Sequence, residues 1–226
     1  CIHNSLFAFK SNVKDIMRRK LPKPFNQIMA TNFMSKIPLL YHRIKQKIVL
    51  RSVIKLHDIT LLYTAANYKE LTYFLKSKDF DESKIEYMLN PVIAVKQKMP
   101  KKEKIILHIG RMNIPQKRSD LLLDFWEKTY KELPDWQFKV VGNGPYYETI
   151  VADLKKRKLP RIELLGYQKP ESYYKKASVF MMPSAYEGLP HTIIESQSYG
   201  CPVIAFNSYG ALEYIVDNEK NALLAK

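Results

Sequence analysis

Cysteine, glycine and long uncharged segments are scarce in this sequence of 226 residues, and each shortage excludes a class of protein. The two cysteines, Cys1 and Cys201, lie too far apart in the chain to suggest a disulfide framework or a metal knuckle. Seven glycines exclude a collagen. The longest uncharged run, residues 196–212, contains glycines, a proline and an asparagine, so no membrane span is predicted. The low cysteine content favours a reducing compartment, and we therefore expect a cytoplasmic protein.

What is present indicates a globular protein with an uneven charge. Hydrophobic residues make up 46% and charged residues 26% of the chain, which has room for one large domain or two small ones. The net charge is +15, and between Lys10 and Lys55 only Asp15 is acidic. Such a segment attracts a polyanion, whether nucleic acid, anionic lipid or a phosphorylated substrate. The alternative is a lysine-rich surface that serves only solvation.

The second half of the chain alternates short aliphatic runs with helical patterns. This order predicts a parallel sheet that is covered by helices on both faces. The predicted strands are 105–109, 138–141, 162–165, 179–182, 203–206 and 222–225. The predicted helices are 119–131, which has Ser119 as N-cap, then 146–158, 171–176 and 191–199, which Gly200 ends.

The first half is less regular, and we expect it to be the last part of another α/β domain. Its pattern predicts a strand end at 1–2, helices at 39–56 and 65–76, and short strands at 61–64 and 85–89. The predicted organisation is therefore an incomplete domain at 1–90, a linker at 91–104 that is rich in lysine, and a complete or nearly complete α/β domain at 105–226.

The stretch 181–195 carries the most information about function. A buried strand ends at Pro183, Glu187 lies in the loop that follows, and Pro190 precedes a helix that contains Glu195. The N-terminus of that helix suits a phosphate, and the two carboxylates suit the hydroxyls of one ligand. An equally good interpretation is one solvated surface glutamate and one glutamate that caps the helix.

Two other strand ends carry weaker signals. Arg111 and Lys117 follow the strand that ends before Gly110, and a guanidinium and an ammonium together suit a diphosphate. Gly142 and Gly144 follow the next strand and allow the backbone to approach a ligand closely. The first pattern is weak on its own because surface lysine and arginine are common in this chain, and an ordinary tight turn explains the second at least as well.

Taken together and in this order, the stretches resemble retaining GT-B glycosyltransferases of glycosyltransferase family 4. The matching marks are Gly-Arg with a lysine six residues on, Val-Gly-Asn-Gly-Pro, and Pro-Ser-x-x-Glu-Gly-Leu-Pro with a second glutamate eight residues after the first. Gly-Cys-Pro-Val-Ile-Ala at 200–205 and Asn-Pro at 90–91 also fit. The resemblance implies a GT-B fold in which a Rossmann-like C-terminal domain follows the tail of an N-terminal Rossmann-like domain. The chain is then expected to be truncated at both ends and inactive alone.

The resemblance also implies roles for individual residues. Arg111 and Lys117 are expected to hold the diphosphate of a nucleotide-sugar, Glu187 to contact the hexose hydroxyls, and Glu195 to contact the ribose. His3 is expected to face the donor sugar from the N-terminal domain, and it joins Arg111, Lys117 and Glu187 as an expected catalytic residue. The other expected donor contacts lie in strand-end turns and at one helix start, namely Gly110, Gly142, Gly144, Tyr167, Gly188, Leu189, His191 and Thr192.

The implied activity is transfer of a hexosyl group, with retention, from a UDP-linked donor. The implied acceptor is a saccharide or is lipid-linked, as in polysaccharide or lipopolysaccharide biosynthesis at the cell surface. No cofactor or metal is expected, because Asp79 and Asp81 lie in a charged turn with no buried strand before them. The basic segment 10–55 is expected to lie on the inner face of an anionic membrane.

Two alternatives remain at this stage. One is a remnant that binds nucleotide-sugars without catalysis. The other is a basic nucleic-acid-binding protein, which the charge and the 15 tyrosines favour. No nucleic-acid-binding motif is present, so no nucleic acid is expected as a partner.

Overall fold

The computed structural model describes residues 36–89, 91, 101–208 and 212–225 of the chain, which divides into two compact units, 1–90 and 91–226. The strand end predicted at residues 1–2 lies outside the described residues, as does most of the linker predicted at 91–104. Of the helices that fall within the described ranges, none has the length and apolar character needed to cross a membrane.

The first unit contains two helices and a pair of parallel strands. In chain order these are α1 (Lys36–Leu56), β1 (Thr60–Leu62), α2 (Ala65–Phe74) and β2 (Ile85–Tyr87), with 3-10 turns at Ser77–Asp79 and Glu82–Lys84. The β1 and β2 strands pair in parallel. Buried side chains from both helices and from β1 form one small core of Leu50, Ile54, Leu62, Leu71, Phe74 and Leu75.

The second unit is an alternating α/β unit, as the sequence predicts. Its elements are β3 (Glu103–Ile109), α3 (Leu121–Thr129), β4 (Gln137–Val141), α4 (Tyr147–Arg157), β5 (Ile162–Leu164), α5 (Glu171–Lys176), β6 (Ala177–Met182), α6 (His191–Ser198), β7 (Val203–Phe206), a 3-10 turn (Leu212–Tyr214) and β8 (Ala222–Ala225). All six strands join one parallel sheet in the order β5-β4-β3-β6-β7-β8.

Helices cover both faces of this sheet because its strands are apolar on both sides. Ile105 and Leu107 of β3 point to one face, where they join a core that includes Tyr174 of α5 and Ile193 of α6. Ile106 points to the other face, where the core includes Leu122 and Trp126 of α3 and Ile150 of α4. Alternate residues of one strand therefore serve two separate cores.

The helix boundaries lie within about three residues of their predictions, and one difference changes the role that was predicted for a residue. Helix α3 begins at Leu121 rather than at Ser119, and the predicted N-cap role of Ser119 is wrong. The Ser119 hydroxyl instead accepts a hydrogen bond of 3.0 Å from the backbone N–H of Asn113, because the preceding loop folds back on itself. The predicted end of α6 is confirmed, since Gly200 follows the helix with a φ of 65°.

Lys102, which immediately precedes β3, links the amino end of the sheet to two helices. Its ammonium donates to the backbone carbonyls of Tyr174 (2.9 Å) and Tyr199 (2.7 Å), at the ends of α5 and α6. A cation at the C-terminus of a helix satisfies carbonyls that have no partner within the helix. One side chain therefore caps two helices that lie on the same face of the sheet.

Candidate functional site

The site lies at the carboxyl ends of β3 and β6, where the order of the strands reverses. The chain leaves β3 toward β4 and β5, and then returns to form β6 on the other side of β3. Open parallel sheets bind ligands at such a point, beyond the carboxyl ends of the strands. The two loops are residues 110–120 and 183–190, which are the two stretches that carry most of the predicted site.

Asn113 shapes the loop that follows β3. Its side-chain Oδ1 accepts hydrogen bonds from the backbone N–H groups of Gln116 (3.2 Å) and Lys117 (2.9 Å). Its own backbone is tied to Ser119 in both directions, at 3.0 and 3.1 Å. These bonds close the loop into a compact turn, so the side chains of Gln116 and Lys117 project from a fixed backbone.

Glu187 lies between these two side chains. The Lys117 Nζ donates to Glu187 Oε1 at 2.6 Å, and the Gln116 Nε2 donates to Glu187 Oε2 at 3.2 Å. The side chain of Lys117 is 16% exposed and that of Glu187 is 9% exposed. A backbone bond of 2.7 Å from the Ala185 N–H to the Gln116 carbonyl joins the same two loops. Glu187 is therefore not a solvated surface residue, and that alternative from the sequence is wrong.

Glu195 has a separate neutral partner. The Tyr174 hydroxyl donates to Glu195 Oε2 at 3.1 Å, so the alternative in which Glu195 caps its own helix is also wrong. The Tyr174 ring is buried and stacks on Tyr199, with ring centroids 5.7 Å apart. Burial and the nearby Glu195 carboxylate raise the pKa of Tyr174, which keeps its hydroxyl protonated as a donor.

The glycines that follow β4 allow neighbouring loops to meet. A Cβ atom on Gly142 would overlap the Gly110 carbonyl, and one on Gly144 would lie 2.5 Å from the Met112 carbonyl. The Gly142 N–H donates to the Gly166 carbonyl at 2.7 Å, and the Gly110 N–H donates to the Val141 carbonyl at 3.1 Å. The two glycines therefore leave space for the backbone of the turn after β3, and a hydrogen bond joins Gly142 to the turn after β5.

The structure places the remaining predicted residues at the same end of the sheet, with different surroundings. Arg111 is exposed, and it forms no ion pair with any residue that the structure describes. Tyr167 follows β5 and is 84% exposed. Gly188 and the buried Leu189 lie in the loop after β6, and His191 and Thr192 form the first residues of α6. His3 lies outside the described residues.

His108 is a buried polar residue beside this site that the sequence did not single out. Its Nδ1 lies 3.0 Å from the Met181 carbonyl, which can only accept, so Nδ1 carries the proton and Nε2 is an acceptor. Nε2 is buried and has no hydrogen-bond partner among the residues described. Burial, with a smaller contribution from Lys117, lowers the pKa of His108 to about 4, so the ring is neutral near pH 7.

Gln116, Tyr174 and Asn113 are the other residues at the site that sequence reasoning missed. Gln116 could have been found from its position, because it directly precedes Lys117 in the stretch that carries the predicted diphosphate-binding residues. Tyr174 resembles an ordinary core aromatic in sequence, because nothing local indicates that its hydroxyl reaches Glu195. Asn113 lies two residues before Pro115, which is typical of a side chain that caps a turn.

No metal centre is evident in the part of the chain that the structure describes, where no three His, Cys, Asp or Glu side chains come together. The two aspartates of the Asp79-Phe-Asp81 stretch serve local structure. Asp79 accepts from Lys47 (2.8 Å) and from the backbone of Lys76, and Asp81 caps the turn at Glu82–Lys84.

Comparisons with known proteins identify the family to which the chain is similar. The family model described as "Glycosyl transferases group 1" matches residues 91–226. The chain is 30% identical over 161 residues to an uncharacterized glycosyltransferase of Haemophilus influenzae, covering 67% of this chain and 44% of that protein. It is 29% identical to the amylovoran biosynthesis glycosyltransferase AmsD of Erwinia amylovora, covering 83% of this chain and 53% of that protein. The chain thus spans about half the length of these relatives.

A solved structure gives the same result. A mutant of S. aureus TarM in complex with Fondaparinux, alpha-GlcNAc-glycerol and UDP is 28% identical, with a TM-score of 0.66, over 79% of this chain and 36% of that one. Together with the parallel six-stranded sheet, this likeness confirms the α/β fold of GT-B type with a Rossmann-like domain.

Proposed function

We propose, from the premise that the chain belongs to the glycosyl transferases group 1 family, that the whole protein transfers a hexosyl group from a UDP-sugar with retention. The proposed acceptor is a saccharide or a lipid-linked saccharide, in polysaccharide or lipopolysaccharide-type biosynthesis. One observation carries the proposal: the nearly buried Lys117–Glu187 pair spans the two loops at the switch point of the sheet. A cation and a carboxylate in such a crevice suit a ligand with both phosphates and hydroxyls.

The proposed roles follow from charge and position. Lys117 and the exposed Arg111 bind the diphosphate, whose negative charge grows as the glycosidic bond breaks. Glu187 accepts hydrogen bonds from the sugar hydroxyls. Glu195 has one oxygen held by Tyr174, and its other oxygen is left for the two ribose hydroxyls. The N-terminus of α6 adds a positive dipole end, so these groups neutralise the leaving diphosphate without a metal.

Retention is proposed to follow from attack of the acceptor hydroxyl on the face that the leaving phosphate vacates. The bond from the anomeric carbon to the diphosphate oxygen breaks, and that oxygen takes the proton of the incoming hydroxyl as the new bond forms. Glu187 is engaged by two donors, which favours a binding role for it over that of a nucleophile.

Calorimetry with UDP tests the donor site. We expect the 226-residue chain to bind UDP with or without a chelator, and Lys117→Ala to weaken binding about tenfold or more, as loss of a charged hydrogen bond implies. Lys139→Ala, in the middle of β4, is the matched control and should leave binding unchanged. Loss of all binding in chelator would overturn the metal-free proposal. Tighter binding of random RNA than of UDP would favour the nucleic-acid alternative.

We also propose that the basic segment 10–55 contacts an anionic membrane from the cytoplasmic side. In the part of α1 whose side chains are described, Leu40, Tyr41, Ile44 and Ile48 are exposed, and Arg51 and Lys55 are exposed on the same side of the helix. Apolar and basic side chains on one helix side suit a lipid interface. Co-sedimentation with vesicles that contain anionic lipid, absent with neutral vesicles, is the expected result; equal binding to both kinds would contradict an electrostatic contact.

A further inference from the structure

We propose that Gln116 is a positioning residue, which holds the Glu187 carboxylate for the sugar of the donor once Lys117 has turned to the diphosphate. The inference rests on the proposed function, because it takes the diphosphate and the sugar as the ligands of Lys117 and Glu187. It concerns a side chain to which neither the sequence pattern nor the family resemblance gives a role.

The first step of the argument is competition for Lys117. In the structure the ammonium is paired with Glu187 at 2.6 Å, and both side chains are nearly buried. A diphosphate carries more negative charge than a single carboxylate, so a diphosphate that enters the crevice draws the ammonium away from Glu187. Glu187 then loses its charged partner while its carboxylate stays mostly out of water.

The second step is the partner that remains. The Gln116 Nε2 donates to Oε2, the carboxylate oxygen that Lys117 does not use. A neutral amide has no charge for the diphosphate to compete for, so this bond persists when the ammonium moves. Gln116 thereby fixes the carboxylate plane, and Oε1 is freed to accept from a sugar hydroxyl.

The third step is the rigidity of Gln116 itself. Its backbone N–H donates to Asn113 Oδ1, and its carbonyl accepts from Ala185 at 2.7 Å, which joins it to the loop that carries Glu187. These are backbone bonds, and they survive replacement of the side chain. Variants at position 116 can therefore remove the amide donor while they leave the two loops joined.

The test compares UDP with UDP-sugars by calorimetry on the 226-residue chain, using UDP-glucose, UDP-galactose and UDP-N-acetylglucosamine. Gln116→Met keeps the length of the side chain and removes the donor. We expect the affinity ratio of the best-bound UDP-sugar to UDP to fall about tenfold, as loss of a hydrogen bond to a charged group implies, while UDP affinity changes less than about twofold. Gln137→Met, an exposed residue at the amino end of β4, is the matched control and should leave both affinities unchanged.

Gln116→Glu supplies a signature that a merely structural role would not give. Near neutral pH the second carboxylate repels Glu187, and the ratio should fall further than in Gln116→Met. As the pH falls, the two carboxyls share a proton, and the O–H replaces the lost amide donor. The affinity ratio of Gln116→Glu should therefore recover toward acid, whereas that of Gln116→Met should not.

The outcomes separate the inference from the proposed function. If the unaltered chain does not bind UDP, the proposed function fails and the inference fails with it. If the unaltered chain binds UDP, but Gln116→Met lowers UDP and UDP-sugar affinity equally or changes neither, only the inference is overturned. Absence of acid recovery in Gln116→Glu also counts against it. Binding of UDP with no binding of any of the three UDP-sugars would contradict a Glu187 site for the sugar.

Discussion

His108 should make the stability of the protein depend on pH on the acid side of neutrality. The side chain is fully buried in β3, and burial lowers its pKa from 6.5 to about 4. In the unfolded chain the imidazole returns to its ordinary pKa, so unfolding is accompanied by proton uptake at any pH between these two values. The stability due to the neutral ring is therefore complete above pH 6.5 and is lost as the pH falls toward 4.

The size of the effect follows from the shift in pKa. Each unit corresponds to about 1.4 kcal/mol, so the shift from 6.5 to about 4 corresponds to roughly 3 kcal/mol in total. Between about pH 7.5 and about pH 5, the fall in the free energy of unfolding due to His108 alone should be about 2 kcal/mol. Urea unfolding of the 226-residue chain at these two pH values measures the total change, to which other groups also contribute.

The contribution of His108 is the difference between the chain and a His108→Gln variant, which has no group at this position that titrates between about pH 4 and about pH 7. We expect the variant to lose about 2 kcal/mol less than the unaltered chain on acidification, whatever its stability at neutral pH. His57→Gln, at an exposed position, is the matched control and should retain the full pH dependence. Equal acid sensitivity of the chain and His108→Gln would refute the argument that burial keeps this ring neutral.

Two further predictions concern contacts that hold the second unit together. Gly142→Ala should lower the free energy of unfolding by more than about 2 kcal/mol, because φ is 134° and the new methyl group would overlap Gly110. Gly200→Ala, where φ is 65° but nothing lies within 4 Å, should cost about 1–2 kcal/mol; equal losses would contradict the overlap. Lys102→Met should cost about 2 kcal/mol in urea unfolding, because two helix-end carbonyls lose their donor. Lys104→Met, which breaks only an exposed pair, should cost less than about 1 kcal/mol, and a similar loss in both variants would show that Lys102 is an ordinary surface lysine.

The strands and helices of the second unit could be predicted from sequence because local pattern determines them. Each of its six strands contains aliphatic residues and lies between polar turns, and each prediction lies within two residues of the observed strand. The exception at Ser119 has a physical cause. A serine before a helix has two possible partners, and here the loop backbone at Asn113 takes the hydroxyl that a cap would have used.

The roles of the glycines could be predicted only in part. A strand followed by Gly-Asn-Gly indicates a close backbone approach, and such an approach occurs at Gly142 and Gly144. The sequence could not identify the partner, because Gly110 and Met112 lie about thirty residues earlier and reach the glycines only when β3 and β4 pair. A bound ligand and a neighbouring loop both require a residue without a side chain, so the glycines in the sequence do not distinguish between them.

The partners of the two glutamates could not be predicted at all. Lys117 and Glu187 are 70 residues apart, and they meet because the chain crosses β3 on its way to β6. Tyr174 reaches Glu195 from a neighbouring helix that is only six residues long. The spacing of the glutamates indicates that both belong to one site, but only the order of the strands determines which donors each carboxylate contacts.

The Lys117–Glu187 pair is better explained by a ligand than by stability. Removing two charges from water costs several kcal/mol per ion, and a nearly buried pair recovers that cost only in part, so its net contribution to folding is small. The pair also lies beyond the strand ends, outside both hydrophobic cores, where the fold itself needs no charge. A crevice that binds an anion next to a polyol needs a cation and a carboxylate side by side, and before the ligand arrives each is the best available partner for the other. Under the proposed function, their 2.6 Å contact is the resting state of the binding site, in which each group holds the other in place until phosphate and hydroxyl groups separate them.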